Sequence, residues 1–310
     1  MKRAGVAAWG LCAFACAQGA PPPGAQRVSP TASQGAVASA APTAPGPKAK
    51  SRASASPPTP APTPPAARAA PGTQPPQLVC PNEMALVVRA QGAYCVDRYE
   101  ATIALRAADG RETPHPGNQR VDGLESKIVA RSVPGKKPQG YISGKQAAVA
   151  CERAGKRLCE NDEWVTACRG SSRSVYPYGD KRRKDICNDR FRVLDKHPVV
   201  RLFKKHASPD EDEIKMWHPS WMNDPRLHEM THSVVPTGAF KQCTNDYGVF
   251  DMVGNLHEWV ADPDGVFFGG YLMDTYQNGE GCDYRTIFHP FDYHDYSTGF
   301  RCCADAKPSG

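Results

Sequence analysis

Apolar and polar positions are arranged in three ways along this chain, and each predicts a different kind of segment. From Ser143 to Gly155 the small residues Ala147, Ala148, Cys151 and Ala154 recur at helical spacing, which predicts a short helix capped by Ser143 and stopped by Gly155. A second helix is predicted from Glu160 or Asn161, with Trp164, Ala167 and Cys168 on one face ahead of Arg169-Gly170. From Tyr247 to Trp259 the chain reads YGVFDMVGNLHEW. Asp251, Gly254, Asn255 and Glu258 there interrupt an apolar background at spacings that match neither a helical stripe nor strand alternation. A buried, irregular turn follows. The Asp251 and Glu258 carboxylates, with carbonyls exposed where Gly254 lets the chain reverse, are hard oxygen donors of the kind calcium takes. A tight turn between two core segments, with Glu258 hydrogen-bonded to nearby amides, uses the same residues without a metal.

The N-terminal part has no such pattern. Residues 1–17 carry Lys2 and Arg3, then a small-residue apolar run from Ala4 to Ala15, the layout of a secretory leader. The chain is expected to be exported: secreted, periplasmic or lipid-anchored to the envelope. A cut after Ala15-x-Ala17 releases a soluble protein, whereas Cys16 as first residue carries lipid and gives the only expected membrane contact. Residues 18–77 are Pro, Ala, Ser and Thr with almost no large apolar side chains, and are expected to form an extended, disordered tether. Residues 78–310 are long enough for one domain with a core. No later stretch approaches the roughly 18 consecutive apolar residues of a spanning helix.

The formal charge of +6 is partly gathered at Lys181 to Lys184 and Lys204-Lys205, without aromatic interleaving or a nucleic-acid motif, so no nucleic-acid partner is expected. Of 12 cysteines, Cys12 and Cys16 lie in the leader; the even remainder in an exported chain points to disulfides. From Asp189 to Val235 the sequence mixes DRFRVLDKHPVV, SPDEDE and MWHPSWMNDPRL and reads as a long surface insertion, in which Trp217 and Trp221 either line a partner pocket or pack an irregular loop.

The Tyr247–Trp259 stretch resembles the GLYDMVGNVWEW signature of the sulfatase-modifying-factor family, to which the formylglycine-generating enzyme belongs. Four further segments agree in the same order: DRYEAT at Asp97–Thr102, AGKRLCENDEW at Ala154–Trp164, FGGYLMD at Phe268–Asp274 and TGFRC at Thr298–Cys302. The resemblance implies an α+β, C-type-lectin-like fold, poor in regular secondary structure and rich in disulfides. It also implies a bound Ca²⁺, ligated by the side chains of Asp251 and Glu258 and the carbonyls of Gly254 and Leu256. Two bridges come with it, Cys151 to Cys302 and Cys168 to Cys282. The remaining cysteines are then expected to pair as Cys80 with Cys95, Cys159 with Cys303 and Cys187 with Cys243; an exchange of partners between Cys151/Cys159 and Cys302/Cys303 stays open.

The family's oxidase chemistry needs copper on two thiolates, the first placed three residues after a GGS turn, because soft ligands select Cu(I). Here the turn is Gly269-Gly270-Tyr271 and the first thiolate position is Asp274. The second is due about five residues later, yet 275–281 contains no cysteine. Copper is therefore not expected. His289, Asp292, His294 and Asp295 are residue types that hold iron or zinc, but they equally suit a polar loop. Two functions follow: a non-catalytic, calcium-stabilised binding or structural module for an envelope protein, peptide or glycan, or a copper or non-haem iron enzyme of the superfamily with a divergent residue set.

Overall fold

The structure, a computed structural model, describes residues 77–189, 198–203, 218–287 and 289–309. The leader, the tether, Lys204-Lys205 and Trp217 lie outside the described residues.

Local signals set the two main helices. In α1 (Gly144–Arg153) Ser143 and Gln146 form a reciprocal capping box, and the chain leaves through Gly155 at φ +72°. Its buried face is Ala147, Ala150 and Cys151, so Ala150 takes the place expected for Ala148, which is half-buried. Small side chains there let α1 pack closely on Ile103, Ile128 and Ala130 of a three-stranded sheet ordered Glu112–Pro114, Thr102–Arg106, Ile128–Arg131. Helix α2 (Asn161–Arg169) starts at Glu160, whose amide donates to Glu163 Oε2 at 3.0 Å, and buries Trp164, Ala167 and Cys168.

Two four-stranded sheets complete the α+β, C-type-lectin-like architecture. One runs Met84–Arg89, Gly92–Asp97, Cys302–Asp305, Arg157–Leu158, all antiparallel. In the other, His257–Trp259 lies between an antiparallel neighbour, Phe267–Phe268, and a parallel one, Thr298–Phe300; Arg285–Thr286 adds the outer strand. The Tyr247–Trp259 turn therefore feeds a central strand, and residues 251–260 are all buried.

Five disulfides join Cys80–Cys95, Cys151–Cys302, Cys159–Cys303, Cys168–Cys282 and Cys187–Cys243. Consecutive strand residues face opposite sides, which decides between the two arrangements left open for Cys302 and Cys303. Cys302 points into the core under α1, and Cys303 into the core around Trp164. Helix α1 and the segment just ahead of α2 are thereby tied to the Cys302–Asp305 strand, while α2 itself is tied through Cys168 to Cys282.

The insertion is not only surface. Among its described parts, Val199, Met222, Leu227 and Val234 are buried in a third apolar cluster with Tyr141, Leu256, Tyr271, Leu272 and Tyr296. Its helical pieces, Pro198–Leu202, Pro219–Met222 and the 3₁₀ turn Pro225–Glu229, are too short for periodicity to reveal.

Candidate functional site

The five segments that carry the family resemblance form the walls of one buried polar centre. Arg301 donates from Nε to Glu258 Oε2 and from Nη2 to Glu258 Oε1, both at 2.6 Å. Its remaining bonds go to the carbonyls of Asp97 (3.0 Å) and Phe250 (2.9 Å). The Trp164 indole donates to Glu258 Oε2 at 2.7 Å. Glu100 accepts from Asn255 Nδ2 at 2.7 Å and from the Leu256 amide at 3.2 Å, while Gly254 donates its amide to the Gly269 carbonyl at 2.8 Å. Asp251 Oδ2 accepts from the Gly238 amide at 2.6 Å.

Arg301 is 0% exposed, Glu100 and Glu258 1%, and Asp251 2%. Burial, then the facing carboxylates of Asp251 and Glu258, push Glu100 well above the carboxylate range. Burial also brings Asp251 up to about 6. For Arg301, burial pulls downward, but the Glu258 carboxylate outweighs it and keeps the guanidinium charged.

The donor chemistry at this turn fits a hard cation. Asp251 Oδ1 is buried and has no hydrogen-bond partner among the described residues, an arrangement that is unfavourable for a carboxylate left alone. A carboxylate offers about four lone-pair sites; the Arg301 and Trp164 donors use three on Glu258 and leave one on Oε1. Asp251 and Asn255 sit at φ +58° and +60°, left-handed conformations that Asx residues tolerate and that wind the turn.

The Asp274 turn lies next along the chain. The Asp274 amide donates to the Tyr271 carbonyl at 2.7 Å, and Gly270 is at φ +76°, where an added Cβ would run into the Asp274 carbonyl. Asp274 is half-buried, its Oδ2 accepts from Tyr284 Oη at 2.7 Å, and burial raises its pKa. Tyr284 stacks on His257 with ring centres 5.7 Å apart, and Phe267 flanks the imidazole at 4.6 Å. Burial, with His289 adding to it, holds His257 down to about 3, so its ring is neutral at neutral pH.

Thiolates do not fit this turn. All ten cysteines among the described residues are in disulfides, Cys282 with Cys168 included. Five residues past Asp274 stands Gly279, at φ +127°, where an added Cβ would lie 2.5 Å from the Asp283 carbonyl oxygen. A side chain of any kind is strained there. As the turn is folded, a carboxylate bonded to Tyr284 stands at the first position and a side chain is strained at Gly279, so this turn supplies no pair of thiolates.

The histidine and aspartate loop does not converge on a point either. Asp292 pairs with Lys145 at 3.1 Å. His294 shares a hydrogen bond with Asn223 (2.8 Å) and lies 3.6 Å from Asp122. Both oxygens of Asp295 accept, from Ser297 and from Tyr293 Oη, and His289 is stacked between Phe267 and Tyr293. Beside the loop a cleft of about 510 Å³ is lined by Arg120, Ser220, Asn223, Asp292, Tyr293 and His294. Trp221 stacks on Phe203 at 4.4 Å and packs the insertion.

Glu100, Asn255 and Arg301 were not singled out by the sequence as site residues. Glu100 and Arg301 were signalled only by membership of DRYEAT and TGFRC, segments used above as markers of the resemblance, and Asn255 only as a polar position interrupting the Tyr247–Trp259 stretch.

Comparison with known proteins places this centre in context. Residues 87–306 match the family described as "Sulfatase-modifying factor enzyme 1-like domain". "Inactive C-alpha-formylglycine-generating enzyme 2" of Bos taurus is 28% identical over 220 residues, 67% of this chain and 60% of that protein. "Formylglycine-generating enzyme" of Mus musculus is 26% identical over 211 residues, 61% of this chain and 49% of that protein. The chain thus spans about half to three fifths of the curated relatives it matches. Among solved structures, PvdO from Pseudomonas aeruginosa aligns with TM-score 0.39 at 16% identity, over 70% of this chain and 82% of that one. The Major Tropism Determinant U1 variant aligns with TM-score 0.39 at 15% identity, over 76% and 55%.

Proposed function

This chain belongs to the sulfatase-modifying factor enzyme 1-like domain family, and we propose that it serves there as an exported, non-catalytic binding module with a calcium-held core, not as a copper oxidase. The observation that carries the reading is the closed position at Gly279, with Asp274 at the first thiolate position already bonded to Tyr284. A single carboxylate does not replace two thiolates for Cu(I). The description of the bovine relative as inactive agrees with it. The five disulfides suit maturation in an oxidising compartment, and hence export.

In this reading Asp251, whose Oδ1 has no hydrogen-bond partner among the described residues, would hold Ca²⁺ together with Glu258 and the Gly254 and Leu256 carbonyls. When bound, the ion supplies the positive charge that the buried carboxylates lack. The partner is an envelope protein, peptide or glycan taken near Asp274, two residues from the exposed Tyr276 side chain. Copper binding tests the reading. Titration of the purified chain with Cu(I) against a chromogenic chelator is expected to show no stoichiometric uptake, and Asp274→Ala to behave like the wild type. One Cu(I) per chain, lost in Asp274→Ala, overturns it.

A further inference from the structure

We propose that Glu100 is the third carboxylate of the calcium centre, a positioning residue that fixes the Asn255–Leu256 peptide and completes the two negative charges that one divalent cation neutralises. The inference rests on the calcium reading above and assigns a role to a residue outside the Tyr247–Trp259 turn.

Charge is the first line of argument. Glu100, Asp251 and Glu258 are at most 2% exposed, and the one buried cation among them is Arg301. With an ion bound to hold them ionised, the three carboxylates and one guanidinium leave two negative charges, the charge of one Ca²⁺; without it, burial and their mutual repulsion favour uptake of a proton. The adjacent Asp97 does not alter the tally, because Lys156 pairs with it at 2.6 Å. Lys241, the other cation that Asp251 senses, is exposed and solvated. Buried charge left without a partner is strongly unfavourable, and the unpartnered Asp251 Oδ1 marks where a positive charge is missing.

Geometry is the second. Glu100 spends both oxygens on the turn, Oε2 on Asn255 Nδ2 and Oε1 on the Leu256 amide. Asn255 is held at φ +60° between these bonds and those that its own Oδ1 accepts from Asn188 and Val235. Gripping the Leu256 amide fixes the Asn255–Leu256 peptide plane, one peptide before the Leu256 carbonyl, and so restrains the chain that presents it. Glu100 therefore acts on the ion as outer carboxylates act on metal ligands elsewhere, by orienting a ligand and adding field.

The test uses the full exported chain, with Ca²⁺ itself as the probe. Wild-type protein is expected to carry one calcium per chain by elemental analysis, and its melting temperature to rise with free Ca²⁺ to a plateau. For Glu100→Gln the calcium concentration at the midpoint of that rise should increase by about 10–100-fold, the usual effect of losing an outer-shell partner. Glu163→Gln is the control: Glu163 is a buried carboxylate that binds Arg157, so its loss should lower the melting temperature at every calcium concentration and leave the midpoint unmoved. If Glu100→Gln does not fold without calcium, its refolding titrated with Ca²⁺ reads the same midpoint. A calcium midpoint for Glu100→Gln equal to the wild type overturns the role of Glu100 and leaves the calcium reading standing. Wild-type protein with no calcium and no thermal shift removes both.

Discussion

Replacing Arg301 by methionine isolates the interaction on which the buried centre depends. Methionine keeps much of the side-chain volume and removes the guanidinium, which makes two bonds to Glu258 and one each to the carbonyls of Asp97 and Phe250. Glu258 is then left as a buried carboxylate with only the Trp164 indole as donor. Breaking a buried pair from one side destabilises by about 3–5 kcal/mol. A domain of this size loses about 2–4 °C in Tm per kcal/mol, so Arg301→Met should melt about 6–20 °C lower. Near-UV circular dichroism of disulfide-intact protein, at one fixed calcium concentration, reads the shift. Adding Glu258→Gln to Arg301→Met should cost clearly less than the sum of the two single changes, because the stranded charge is then gone. A loss under about 1 kcal/mol for Arg301→Met, or strict additivity with Glu258→Gln, would show that the pair does not hold the turn.

Acid should weaken the fold through its buried histidines: burial holds His228 at about 4 and His257 at about 3, both below the ordinary value. Protons therefore bind the unfolded chain first, so the contribution is full above about pH 6.5 and falls by about 3 kcal/mol per histidine as the pH drops to 4. Asp251 and Glu100, raised by burial, pull the other way in both proteins, so the readout is the difference: the wild type's urea midpoint relative to His228→Gln/His257→Gln should fall from pH 7 to 4, and a pH-independent difference removes the assignment. Gly279→Ala should lose about 2 kcal/mol by chemical denaturation, since its φ and the Asp283 carbonyl both oppose a side chain; a neutral result reopens the second thiolate position. Freeing Cys282 by Cys168→Ala should cost about 2–5 kcal/mol and yield no copper uptake; uptake would mean that Cys282 can serve a redox site.

The helices were legible because their determinants are local. Ser143 with Gln146 and Glu160 with Glu163 are capping pairs three residues apart. The polar centre was not legible as a network, although all its segments were recognised, because its bonds span long separations. Trp164 reaches Glu258 across 94 residues and Glu100 reaches Leu256 across 156. Within any local window Glu100 and Arg301 are charged residues of the kind usually found at the surface. The partners of Cys302 and Cys303 stayed ambiguous for a similar reason: alternation along the Cys302–Asp305 strand decides which cysteine faces Cys151 and which faces Cys159, and that requires the strand's orientation. In the insertion, prolines 198, 219 and 225 break the chain into pieces too short to show a buried face, so Val199 and Leu227 read as loop residues when they are core.

Turnover is the most direct test of the claim that this family member is not an oxidase. The purified full chain, supplied with copper, reductant and oxygen, is incubated with a sulfatase-type cysteine peptide, and conversion of the cysteine to formylglycine is followed by mass spectrometry. No product is expected from the wild type. None is expected from Asp274→Cys either, because one thiolate does not hold Cu(I) and the second position is closed at Gly279. Repeated turnover by the wild-type protein, lost in Asp274→Ala, would contradict the account.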